Sequence, residues 1–135
     1  MKNISVIKKL ILVFIFAFVF NFIWENFHSL LYVHYKGAPI TDIILLKAGL
    51  FDAFFITALA FLVIVLNYPK NWMALSVLIA IVFAIFLELY ALNSGRWEYK
   101  DAMPVIPFLG IGLTPTVQLG LLLFLSFKLV LKRKY

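Results

Sequence analysis

The stretch LILVFIFAFVFNFIWENFHSLLY, residues 10–32, decides the fold. Its first eleven residues are all apolar. A helix that crosses about 30 Å of hydrocarbon needs roughly 20 such residues. The basic start, MKNISVIKK, followed by an apolar run has the outline of a signal peptide. The small-residue cleavage site is missing and the run is too long, so the segment reads as a retained first span. Toward its end it carries Asn21, Glu25 and His28, polar groups that a membrane helix has to turn away from lipid.

The rest of the chain repeats the pattern. Of the 135 residues, 65% are hydrophobic, 18% aromatic and only 13% charged. A soluble domain has roughly 45–50% apolar and about 25% charged residues. The composition and the runs give an all-α membrane protein, one domain over residues 1–135. Its spans cover about 9–32, 43–66, 72–92 and 106–130. The breaks YKGAPITD, NYPKNW and NSGRWEYKDAMP carry the Gly, Pro, Asn and Asp that stop helices. Short connections make neighbouring helices antiparallel, which gives a four-helix transmembrane bundle.

Basic residues set the orientation. Lys2, Lys8, Lys9, Lys70, Lys128, Lys132, Arg133 and Lys134 fall on one side with no acid among them. Lys36, Lys47, Arg96 and Lys100 fall on the other, mixed with Asp42, Glu98 and Asp101. The larger cluster puts both termini in the cytoplasm. Tyr68, Trp72, Trp97 and Tyr99 lie near span ends, where aromatic belts form. The net charge of +6 is confined to the edges of apolar runs, so it anchors and orients rather than binding nucleic acid. The chain has no cysteine, which excludes disulfides, thiolate catalysis and Cys-based metal sites.

Each span contributes one strongly polar group. Counted from the cytoplasmic ends, Glu25, Asp52, Glu88 and Gln118 all lie about 21–24 Å up, in the outer third of the bilayer. Asn21, Glu25, His28 and Tyr32 share a helical face in span one. Ser76, Ala80, Ala84, Glu88 and Ala91 do so in span three, on a stripe small enough for close helix approach. Gly49, Ala53, Thr57 and Ala60 form a ridge beside Asp52. In span four Thr114, Gln118 and Leu121 lie together, next to Pro115. A carboxylate facing lipid costs roughly 2.5–3.5 kcal/mol on insertion scales, so the acids turn inward.

Two readings of this set stand side by side. In one it is a polar packing knot, with His28 and Gln118 bonded to the acids. In the other it is a functional pocket open to the outer side, since ionisable groups within spans mark function. Acid–base chemistry on a lipid-soluble substrate fits the inventory best, and proton- or ion-coupled transport uses the same groups. Under the acid–base reading Glu25 and Glu88 are the acid–base pair, with His28 as proton partner and Asp52 as charge stabiliser. Asn21, Tyr32, Arg96, Trp97, Tyr99 and Gln118 are the substrate-binding candidates. Under the transport reading a bundle this thin implies a homo-oligomer. Glu25-x-x-His28 is half of a carboxylate-bridged di-metal pattern, and the second half is absent. His28 and His34 share one segment and cannot grip one haem iron from opposite faces. No metal and no cofactor is assigned. Arg96 either pairs with Glu98 or Asp101 or points down to Glu88. Pro104, Pro107, Gly110, Gly112 and Pro115 make the entry to span four irregular, as backbone lining a cavity can be.

Several of these residues carry a resemblance. Trp24-Glu25-Asn26, Leu31-Tyr32, Asp52, Glu88, GRWEY at 95–99, MPVIP at 103–107 and GIGLTPTVQ at 110–118 together resemble an uncharacterised family of small four-span bacterial membrane proteins. The resemblance covers nearly the whole chain. It implies one four-span unit in the bacterial inner membrane, with membrane lipid around it, and assigns no activity. A weaker similarity is to membrane lycopene-cyclase and carotenoid-modifying proteins, which have a Gly-x-Trp-x-Tyr-like loop before a proline. Their next span carries Pro-x-Glu-Glu, where this chain has Pro115-Thr116-Val117-Gln118. Cyclase-like chemistry would therefore fall to Glu25, Asp52 or Glu88.

Overall fold

The computed structural model describes residues 4–131. Lys2, Lys132, Arg133 and Lys134, half of the cytoplasmic cluster read from the sequence, lie outside the described residues. Four helices are present: α1 (Val6–His28), α2 (Asp42–Val65), α3 (Trp72–Asn93) and α4 (Leu113–Val130). All four are long and apolar enough to cross a membrane. Their outward faces agree, because Phe27, Phe54 and Phe86 are 74%, 64% and 67% exposed. Aromatic side chains in such numbers on a helix surface need an apolar surround.

Local signals fix the helix starts. Ser5 caps α1 by accepting from Lys8 N, and Thr41 caps α2 by accepting from Ile44 N. Asp42 sits in the first turn of α2, where its charge suits the helix dipole. The first span runs on from α1 through a 3₁₀ turn, Ser29–Leu31, and then leaves the helical path. Tyr32 therefore opens a strand rather than extending the helical stripe of Asn21, Glu25 and His28.

That strand is an element the sequence reading lacked. β1 (Tyr32–Tyr35) pairs antiparallel with β2 (Trp97–Tyr99), with His34 opposite Glu98 and Tyr35 opposite Trp97. Lys36 N donates to Arg96 O at 2.6 Å and Lys100 N donates to Leu31 O at 2.8 Å, closing the ribbon at both ends. Gly95, at φ +70°, ends α3 in the left-handed turn that lets β2 fold back.

The fourth span starts later than the sequence suggested, at Leu113 rather than near residue 106. The intervening chain bends on itself. Ile106 N donates to Ile111 O at 2.8 Å, and Leu113 N donates to Pro104 O at 2.7 Å. Pro104 and Pro107 cannot supply the amide donors of a helix interior, so this stretch forms turns instead. Pro115 is accommodated because it falls in the first turn of α4.

The helices meet unevenly. α1 packs along α2, α3 packs along α4, and α1 also lies against α4, whereas α2 and α3 touch at few points. The central layer is made of small and branched residues, including Val13, Ala17, Ala53, Ile56, Ala80 and Leu123. The span-three stripe is as expected: Ser76, Ala80, Ala84, Glu88 and Ala91 are all buried. In α4 the inward row is Gln118 with Leu119 and Leu122, and Leu121 is 44% exposed, so it is not part of that row. Trp72 is also buried, against Phe127. Lys9 and Tyr68 do meet at one end, Nζ to Oη 3.3 Å.

Gly120 permits a close approach of α3 and α4: a Cβ there would stand 2.9 Å from Ile81 Cγ1. Gly120→Val should therefore destabilise the fold by about 1–3 kcal/mol through overpacking. Leu121→Ala, on the outer face, should stay within about 0.5 kcal/mol. Thermal unfolding in detergent distinguishes the two.

Candidate functional site

The polar groups of α1, α2 and α4 meet at one atom. Gln118 Nε2 lies 2.8 Å from Glu25 Oε1, 3.2 Å from Asp52 Oδ2 and 3.2 Å from Asn21 Oδ1. A primary amide nitrogen has two hydrogens, so three acceptors share two donors. The two carboxyl groups are thereby held within about 6 Å of each other. Asn21 is anchored in turn, with its Nδ2 donating to Ala17 O at 2.8 Å. Its spacing of four from Glu25 is what sets both on the inner face of α1.

Glu88 has different partners. Trp97 Nε1 donates to Glu88 Oε2 at 3.2 Å, and the Tyr99 hydroxyl donates to the same oxygen. Tyr99 also accepts from Gly112 N at 3.0 Å, which fastens the entry of α4 to β2. Burial first, and then the bond to Glu88, push the Tyr99 phenol above its ordinary range, so it remains a donor. The aromatic residues of β2 were read from the sequence both as part of an interfacial belt and as substrate-binding candidates. They turn inward because a buried carboxyl needs donors, and α3 itself offers none at that level.

One cavity of about 520 Å³ joins these groups. Glu25, Asp52, Glu88 and Gln118 line it, as do His28, Tyr32, Arg96 and Trp97. Asn21 and Tyr99 do not reach it and act only through Gln118 and Glu88. The cavity occupies the opening left where α2 and α3 diverge, with Ile44, Leu45, Phe51 and Leu87 as apolar wall. Below it, the ring of Phe83 stacks on Phe55 at 4.3 Å and contacts Phe51 at 6.2 Å, closing the gap between α2 and α3.

Two sequence-based pairings are corrected. His28 does not bond a carboxyl group. Its Nε2 lies 2.8 Å from Thr114 Oγ1, and its ring packs edge-on against Tyr32 at 5.0 Å. The spacing of three puts Glu25 and His28 on adjacent parts of the α1 face, so each reaches a different part of α4. Arg96 pairs with neither Glu98 nor Asp101 nor Glu88. It donates to Tyr35 Oη at 3.2 Å and lies over the Tyr90 ring. Glu98 faces His34 instead, at 3.6 Å, because strand register sets them opposite each other.

Six polar cavity residues were missed as site residues: Ser29, His34, Tyr35, Lys36, Lys47 and Tyr90. Only the Lys47 position gave a signal, a cation inside an apolar run. Among the described residues, no three His, Asp or Glu side chains converge as metal ligands. One buried side-chain polar atom among them has no hydrogen-bond partner, Trp24 Nε1, beside an apolar groove between α1 and α4.

Gln118→Leu keeps the volume of the side chain but leaves Glu25, Asp52 and Asn21 without their shared donor. It should cost about 2–5 kcal/mol of stability, since each unsatisfied buried polar group costs roughly 1–3 kcal/mol. Gln118→Leu with Asp52→Leu should be more stable than Gln118→Leu alone, as measured by unfolding in mild detergent. Comparison with protein-family models, curated proteins and solved structures finds no match to this chain.

Proposed function

We propose that this chain is an integral protein of the bacterial inner membrane, an antiparallel four-span bundle with both termini in the cytoplasm. In that orientation the β1–β2 ribbon faces outward and the cavity lies in the outer third of the bilayer. Its function is acid–base chemistry on, or binding of, a lipid-soluble, isoprenoid-like molecule. The observation that carries this reading is the lining of the cavity: three carboxyl groups from three helices share one space with apolar walls. Its volume of about 520 Å³ suits a small-molecule ligand. Packing alone does not require such a space.

The roles follow from the bonding. Glu25 and Glu88 are the acid–base candidates, since each carboxyl reaches the cavity while a fixed donor holds it. Asp52 stabilises positive charge beside Glu25. His28, hydrogen-bonded to Thr114, is the proton partner, one turn beyond Glu25 on α1. Gln118 and Trp97 orient the acids, Asn21 and Tyr99 brace those two, and Tyr32 and Arg96 border the ligand space.

One observation favours a second reading. Gln118 joins α1, α2 and α4 as a packing knot would. The two readings part at Glu88, which is outside that knot. Glu88→Gln keeps the shape and the bonds to Trp97 and Tyr99 but removes the titratable group. The first reading expects wild type to co-purify with a specific lipid, seen by mass spectrometry, and the folded variant to lose it or fail to turn it over. The same bulk lipid in both, with only a lower melting temperature in the variant, would favour the knot.

A further inference from the structure

The mouth of the cavity has a chemistry that the acid–base reading leaves unused. Lys36, Lys47 and Arg96 all line it. They come from the turn after β1, the second turn of α2 and the residue before β2, so no local sequence requirement brings them together. None of the three is ion-paired among the described residues, where the one such contact is His34–Glu98.

Two of these cations share one spot. Arg96 Nη2 donates to Tyr35 Oη at 3.2 Å, and Lys36 Nζ lies 5.4 Å from the centre of the Tyr35 ring. The hydrogen bond from Arg96, followed by the charges of Arg96 and Lys36, holds the Tyr35 phenol below its usual range. Two cations gathered on one phenol make this end of the cavity electropositive. Lys47 adds a third charge from within a span, where a cation is costly unless its long side chain reaches polar surroundings.

The rest of the cavity is built for an apolar body. Its wall includes Ile44, Leu45, Phe51 and Leu87, and it sits where α2 and α3 leave a gap facing the surrounding apolar medium. A ligand that satisfies both ends has a tail in that gap and an anionic head at the mouth. A planar guanidinium with two ammonium groups matches the geometry and charge of a phosphate better than that of a neutral head.

Building on the proposed function, we infer that the ligand is an amphiphile with a phosphate-bearing head, held by Lys36, Lys47 and Arg96. Its apolar tail lies between α2 and α3 and passes the carboxyl groups. The same head chemistry occurs in free phosphate, and the test separates the two.

The full chain is placed in nanodiscs of pure phosphatidylcholine, and equilibrium binding is measured for farnesyl phosphate, farnesol and inorganic phosphate. Farnesyl phosphate should bind at least about ten-fold tighter than either of the others. Arg96→Gln and Lys47→Gln should each weaken it about ten-fold, and Lys47→Gln should leave farnesol unchanged. Lys47 is exposed at the cavity edge, so its variant keeps the fold even if Arg96→Gln does not. Inorganic phosphate binding as tightly as the amphiphile would overturn the inference in favour of a free-anion site. Equal binding of farnesol and farnesyl phosphate would overturn the head-group assignment and leave the proposed cavity function standing. No binding of either isoprenoid would overturn both.

Discussion

The nitrogen of one carboxamide, Gln118 Nε2, lies between three helices in the apolar interior. It reaches Asn21, Glu25 and Asp52 at 2.8–3.2 Å, and much of the remaining arrangement depends on it. Polar groups buried at this level have to find hydrogen-bond partners in one another. The small residues around it, Ala17, Gly49 and Ala53, let α1 and α2 come close enough for that to happen. α3 takes no part in the arrangement. Its carboxyl, Glu88, is satisfied by Trp97 and Tyr99 from β2, and this frees α3 to stand apart from α2.

The cavity is a consequence of that separation. The β1–β2 ribbon covers the end where the two helices diverge and brings its own aromatic donors inward. Tyr99 couples the ribbon to the irregular entry of α4 through Gly112 N, so the turns at residues 104–112 support the position of Glu88. A gap lined by acids, apolar side chains and cations from three segments is hard to account for as packing. The proposed amphiphilic ligand accounts for all three kinds of lining in one molecule.

Much of this was legible in the sequence. Four apolar runs near 20 residues long fixed four helices. The inward faces of spans one, two and three followed from spacing, because Asn21, Ala53 and Ser76 sit on regular helical rows. Convergence of Glu25, Asp52 and Gln118 followed from counting depth. What escaped depended on chain pairs far apart in sequence. Tyr32–Tyr35 and Trp97–Tyr99 are too short to be read as a ribbon, because each strand gains its stability from the other. The inward turn of Trp97 and the diversion of Arg96 to Tyr35 follow from that pairing. His28 bonding to Thr114 was hidden because Thr114 looked like a member of the Gln118 row. The start of α4 was set too early because residues 106–112 are apolar, although Pro107 and Gly110 had marked the turn.

The central claim is that the space between α2 and α3 opens to the side opposite the termini and leads down to the acids. The chain has no cysteine, so single cysteines can be placed on a clean background. Ala48 and Leu87 line the cavity, whereas Ala53 is fully buried elsewhere in the core. Ala48→Cys, Leu87→Cys and Ala53→Cys can be treated with a membrane-impermeant maleimide, applied from either side of sealed vesicles. The account predicts labelling at 48 and 87 from the outer side only, and none at 53. Labelling of 48 and 87 from the terminal side, or from neither side, would contradict it.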